Sequence, residues 1–211
     1  MNARDDVLAA VRGAIGKATP PDVPRPYITA GIAGGDEIVA TFVERVRDYQ
    51  GVVLHTDDAR AAVERVLAEQ AAHRVGIPRD LPERLRPASV ELVEDDALSH
   101  AALDRLDAVV TTCAAACATT GTLAFDGGPG QGRRALTLLP DLHVCVVGEE
   151  QIVETVPELV RQLEVAAAGG RPIVLVSGPS ATSDIELQRV EGVHGPRRLA
   201  VVVERQAAPV D

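Results

Sequence analysis

Short, unbroken aliphatic runs recur along this 211-residue chain and alternate with longer segments of helical spacing. G-V-V-L-H (51–55), L-D-A-V-V-T-T (106–112), H-V-C-V-V (143–147), P-I-V-L-V-S (172–177) and R-L-A-V-V-V (198–203) are the clearest. They lack the in–out alternation of a sheet with one wet face. A strand that is apolar on both sides must be covered on both sides, as in a parallel sheet lying between helices. The expected fold class is α/β: three layers, α/β/α, around a mostly parallel sheet.

The same pattern places further elements. Residues 74–77, 89–93, 120–126 and 135–140 read as strands. Residues 36–49 read as a helix, and Asp57 or Asp58 can cap another that runs to about residue 72. Residues 97–106, 149–168 and 183–190 complete the helical set. At the N-terminus, Val7, Leu8, Val11 and Ile15 share one helical face over 3–17. T-P-P-D-V-P-R-P follows, an extended linker. The chain therefore divides into an N-terminal helix with a proline-rich arm, 1–26, and an α/β body, 27–211.

Composition removes several functions. Net charge is −10 and Trp is absent, so neither the basic surface nor the stacking aromatics of a nucleic-acid binder are present. Lys17 is the only lysine, which leaves Schiff-base catalysis and a phosphate-loop lysine without a candidate in the body. No apolar run is long enough to span a membrane, and the charged N-terminus is unlike a signal peptide. Three cysteines, Cys113, Cys117 and Cys145, make an odd count and suggest a reducing, cytoplasmic setting. Cys113 and Cys117 have no second pair, so no in-chain iron–sulfur motif exists, no metal site is expected, and the cofactor stays unidentified. In C-A-A-A-C a cysteine acts as a small apolar residue.

Three segments carry candidate chemistry. In S-G-P-S-A-T-S-D-I-E, a strand ends at Ser177 and turns at Gly178-Pro179. Ser183 and Glu186 have capping-box spacing, and Ser180 and Thr182 add hydroxyls. The junction suits an anion, or is only a capped helix start. In T-T-G-T, the hydroxyls of Thr119, Thr120 and Thr122 surround Gly121, though Thr is also a good strand residue. G-G-P-G-Q-G-R-R fits neither a dinucleotide fingerprint nor a phosphate loop, and no helix clearly follows it. Its Gly130, Gln131, Gly132 and Arg133, with Arg134, suit an anion-binding loop or a long hairpin connection. Asp184, Glu186 and His194 are the candidate acid–base groups. His143 reads as a strand residue.

Taken together, T-T-G-T-L-A-F-D, G-P-G-Q-G-R-R-A-L-T-L-L-P-D-L-H-V-C-V-V and S-G-P-S-A-T-S-D-I-E…G-V-H-G-P resemble the lactate-utilization protein C family, the LUD-domain proteins, in order and spacing over 107–203. The resemblance implies a fold similar to sugar-phosphate isomerases, coenzyme A transferases and formyltetrahydrofolate cyclo-ligases. It also implies a cluster-free component of an L-lactate utilization system, acting with iron–sulfur partner subunits that oxidise L-lactate to pyruvate. Such a chain is a subunit of an oxidoreductase system rather than a lone enzyme. One departure is Thr119, where family members often carry an acid. The expected site is one pocket for a small anionic ligand at the C-terminal ends of strands, walled by 119–122 and 177–184 and rimmed by 128–134. Two alternatives stay open: a stand-alone transferase or isomerase-like enzyme on a small phosphorylated or coenzyme A-linked metabolite, and a structural interaction module.

Overall fold

A computed structural model describes residues 2–16, 18, 19, 21–182, 190–192 and 194–205. Its centre is a sheet of six strands: β1 (Val52–Thr56), β2 (Arg74–Ile77), β3 (Glu91–Glu94), β4 (Ala108–Thr112), β7 (Leu142–Gly148) and β12 (Arg198–Glu204). They lie in the order β1-β12-β7-β4-β2-β3, and every pairing is parallel. All seven residues of β7 are buried, as a central strand covered on both faces requires.

Alternate residues of these strands feed two cores. Leu54, Val75, Val110, Val144 and Val202 pack under α3 (Ala59–Glu69). Asp58 caps that helix, its carboxylate accepting from Ala61 N at 3.0 Å. On the opposite face, Val53, Cys145, Val147 and Val201 meet α2 (Gly35–Asp48), which buries Val39, Phe42 and Val46. The expected mostly parallel sheet with helices on both sides is therefore present.

A second sheet lies on the α2 face. It joins β5 (Ala115–Cys117), β6 (Thr122–Phe125), β8 (Ile152–Val153) and β9 (Val174–Val176) in the order β8-β5-β6-β9. Its outer side is covered by Leu159 of α6 (Val156–Gln162) and Leu163, which precedes α7 (Glu164–Ala168). All three cysteines are buried, within or beside these strands.

Several expectations are corrected. Residues 135–140 are not a strand: α5 (Arg134–Leu138) starts directly after the glycine loop. Its Leu136 is buried against Leu103, Leu106 and Val109, a contact that a short apolar run does not announce. Only His100–Leu103 (α4) of 97–106 is helical. The 172–177 strand is β9, which pairs antiparallel with β6 rather than joining the parallel sheet. C-A-A-A-C contains β5, which has no counterpart in the sequence reading. Val190 is not helical: β11 (Val190–Glu191) pairs antiparallel with β10 (Ala181–Thr182). The rest of the expected helix, with Ser183, Asp184 and Glu186, lies outside the described residues.

The N-terminal helix α1 (Ala3–Ile15) buries none of its residues. The arm after it is held along α6. Arg161 donates to the Thr29 carbonyl (2.6 Å), Glu158 accepts from Gly31 N (3.1 Å), and Glu154 accepts from Ala33 N (2.7 Å). The Gly31 amide and the two Thr155 donors hold the Glu158 carboxyl below its usual range.

Candidate functional site

A cavity of about 320 Å³ opens between α5, the Ser177–Ser180 turn and the segment His194–Pro196. Arg134 and Thr137 stand on its α5 side, and the buried residues His143 and Leu199 close it toward the parallel sheet. Both belong to the first two residues of their strands, β7 and β12. The cavity therefore lies toward the amino ends of these strands, not at the carboxyl ends expected for the ligand site, because the Ser177–Ser180 turn follows β9 of the second sheet rather than a strand of the parallel one.

Two glycines explain how the motifs reach this place. Gly178 has φ +85°, and a Cβ there would stand 2.5 Å from Tyr49 Cβ at the end of α2. Gly121 has φ +57°, and a Cβ there would meet the Arg45 backbone of α2 at 2.9 Å. Both need left-handed backbone and a close approach that a side chain forbids. Ser180 then ties the turn to the distant G-V-H-G-P segment. Its Oγ accepts from His194 N at 3.0 Å, and its N–H donates to the Pro196 carbonyl at 2.8 Å.

The expected residues distribute unevenly. Ser177, Gly178, Pro179, Ser180 and His194 line the cavity. T-T-G-T does not line it but reaches it indirectly. Thr120 Oγ1 lies 2.7 Å from Thr122 Oγ1, which lies 2.7 Å from Ser177 Oγ. Thr119 is exposed and its hydroxyl lies 3.4 Å from Cys117 Sγ. Thr182 lies in β10.

The glycine loop is stapled rather than open. Gln131 Oε1 accepts from Asp126 N, and its Nε2 donates to Asp126 Oδ1, both at 2.8 Å. Gly130 packs on Thr112, whose N–H donates to the Gly130 carbonyl at 2.8 Å. Arg133 forks onto the buried Asp95 carboxylate, with Nε and Nη2 at 2.7 and 2.9 Å, and also donates to the Leu98 carbonyl. That bond raises the Arg133 pKa. Gln131, Gly132 and Arg133 border a neighbouring hollow instead, described below.

The cation facing the cavity is Arg134, which makes no ion pair with the described residues. Its neighbour in the site is His143, only 2% exposed. His143 Nε2 lies 2.8 Å from Thr111 Oγ1, and the ring packs at 5.4 Å from Phe125. Burial pushes the imidazole pKa down to about 4, so the ring is neutral at physiological pH. Nδ1 has no partner among the described residues and is left for the cavity. A guanidinium fork, a neutral imidazole and the hydroxyls of Ser177 and Ser180 together suit a carboxylate or phosphate bearing a second polar group, while the Thr137 hydroxyl donates to the Arg134 carbonyl at 3.1 Å.

Sequence reasoning did not single out Thr137, favoured Arg133 of the R-R pair where the structure ties Arg133 to Asp95 and places Arg134 at the cavity, and gave His143 no role beyond the strand. The R-R pair was the available signal; which member is engaged elsewhere depends on Asp95. It also missed a dyad at the carboxyl ends of the parallel strands. His55 Nε2 lies 2.5 Å from Glu149 Oε1 in a cleft bordered by α2.

Relatives agree with this architecture. Residues 91–203 match the LUD domain. The chain is 44% identical to "Lactate utilization protein C" of Deinococcus radiodurans over 204 residues, 95% of each chain. It is 29% identical to the protein of that name in Halalkalibacterium halodurans, over 80% of this chain and 79% of the other. The crystal structure of a DUF162 family protein from Deinococcus radiodurans superposes with a TM-score of 0.72 at 38% identity, covering 82% of this chain and 99% of that one. With its LUD domain spanning more than half its length and a relative of this identity aligned almost end to end, the chain belongs to the LUD-domain family.

Proposed function

We propose that this protein is a component of an L-lactate utilization system and that the Arg134 cavity holds its small anionic ligand. The names of its relatives support the first part. One observation carries the second: an arginine with no acidic partner among the described residues faces a hydroxyl-lined cavity in a chain of net charge −10. Its neighbour Arg133 is by contrast paired with the Asp95 carboxylate. A guanidinium unpaired among the described residues, beside Ser177, Ser180 and neutral His143, is arranged for an anion from outside.

This reading includes iron–sulfur partner subunits, since three core cysteines supply fewer thiolates than the four a cluster takes. In the complete system, electrons from lactate pass to those subunits, and this chain contributes ligand binding. Calorimetric titration of the purified protein with L-lactate and pyruvate tests the site. Binding that Arg134→Ala weakens at least tenfold supports it; absence of binding, or binding indifferent to Arg134→Ala, removes it. Co-purification of clusters with the tagged chain from lactate-grown cells tests the partners. Normal growth of a deletion strain on lactate counts against the whole assignment.

A second reading, a stand-alone enzyme on a small phosphorylated or coenzyme A-linked metabolite, is favoured by the His55–Glu149 dyad. It lies where open α/β sheets commonly bind ligands, outside the carboxyl ends of the strands. Turnover of such metabolites that His55→Gln abolishes would support it.

A further inference from the structure

The Arg134 cavity adjoins another hollow at α5. A second hollow, of about 330 Å³, is bordered by Phe125, Gly127, Gly132 and Pro172. Arg134, Thr137 and Val174 line both hollows. Arg134 and Thr137 are three residues apart on one helix and so are neighbours on its surface. They stand where the two hollows adjoin, and we take the hollows as two lobes of one site.

The lobes differ in chemistry. The first carries the hydroxyls of Ser177 and Ser180, His143 and His194. In the second, the polar side chains are engaged with the protein itself: the Gln131 amide with Asp126, and the Arg133 guanidinium with Asp95. What the second lobe offers a ligand is the Phe125 ring, Pro172, Val174 and glycine backbone. It is an apolar annex beside the only guanidinium that both lobes share.

Size decides what fits. Ligand pockets start at roughly 300 Å³ for molecules much larger than a three-carbon acid. Each lobe alone is of that size. A three-carbon acid held on Arg134 would leave the annex unused, whereas apolar carbons placed in it leave water and bind more tightly.

We infer that the preferred ligand is a 2-hydroxy or 2-oxo carboxylic acid with an apolar chain longer than a methyl group. Its carboxylate sits on Arg134, its 2-substituent faces Ser177 and His143, and its chain enters the annex past Thr137 and Val174. This rests on the assignment of the Arg134 cavity as the anion site.

The test is calorimetry on the full chain with L-lactate, 2-hydroxybutyrate, 2-hydroxyhexanoate and phenyllactate. Affinity rises about threefold to fourfold per added methylene until the annex is filled. Pro172→Trp, which narrows only the annex, removes that gain. If affinity is flat or falls along the series while L-lactate still binds through Arg134, the annex is not a chain site and this inference fails alone. A gain that survives Pro172→Trp overturns it as well. If no acid binds the wild-type chain, the anion-site assignment falls and takes this inference with it.

Discussion

His143 should make the stability of this protein depend on pH in a window set by its burial. The ring is 2% exposed and its pKa falls from 6.5 to about 4 because the charged form would be desolvated. Above pH 6.5 the folded and unfolded chains both carry a neutral imidazole, and the full stability is present. As pH falls from 6.5 toward 4, the unfolded chain takes up a proton that the folded chain refuses, so stability is lost. Below about 4 both forms are protonated and this group adds no further loss. The gap corresponds to about 3 kcal/mol, most of it gone by about pH 4.5. A loss of that size is a large share of a typical domain's stability. The assay is urea unfolding at steps between about pH 7.5 and 4.5, on wild type and on His143→Gln. Glutamine keeps a hydrogen-bonding group near Thr111 Oγ1 but does not titrate. The carboxylates titrate in both chains and cancel in the difference. The wild type should lose about 3 kcal/mol more than the variant across the window. Parallel loss in the two chains would refute the argument that His143 is held neutral by burial.

Other outcomes follow from the same contacts. Leu136→Ala should destabilise the chain by about 2–5 kcal/mol in urea unfolding, because this fully buried side chain fixes α5 to Leu103, Leu106 and Val109. The same variant should weaken anion binding, since α5 carries Arg134 and Thr137. Asp95→Asn should cost about 2 kcal/mol by breaking the charged fork from Arg133, with a lower thermal midpoint as the readout. Glu158→Gln should release the arm at Gly31 and speed limited proteolysis between α1 and α2. In the wild type the same release should appear as pH falls below 4.5 through the lowered Glu158 value.

The parallel sheet was legible because its strands are apolar on both faces. H-V-C-V-V allows no exposed side, and β7 is buried throughout. Asp58 was legible as a cap because its action is local, reaching three residues ahead. A-L-T-L-L was misread because a short apolar run looks alike in a buried strand and a one-turn helix. β9 was placed in the wrong sheet because nothing in P-I-V-L-V-S names its partner. The candidate site was legible in part. S-G-P-S and His194 do line the cavity, whereas T-T-G-T reaches it only through Thr122 and Ser177.

The sequence by itself determined the α/β class, the aliphatic core and the family, since periodicity, composition and motif order are properties of the chain as written. Tertiary structure alone decided which arginine of R-R serves the cavity. Successive residues at the start of a helix point about 100° apart. Asp95, from 38 residues upstream, claims Arg133 and leaves Arg134 facing the cavity. It also decided that His143, unremarkable in its strand, is a neutral hydrogen-bonding group at the base of the cavity, because burial sets its charge.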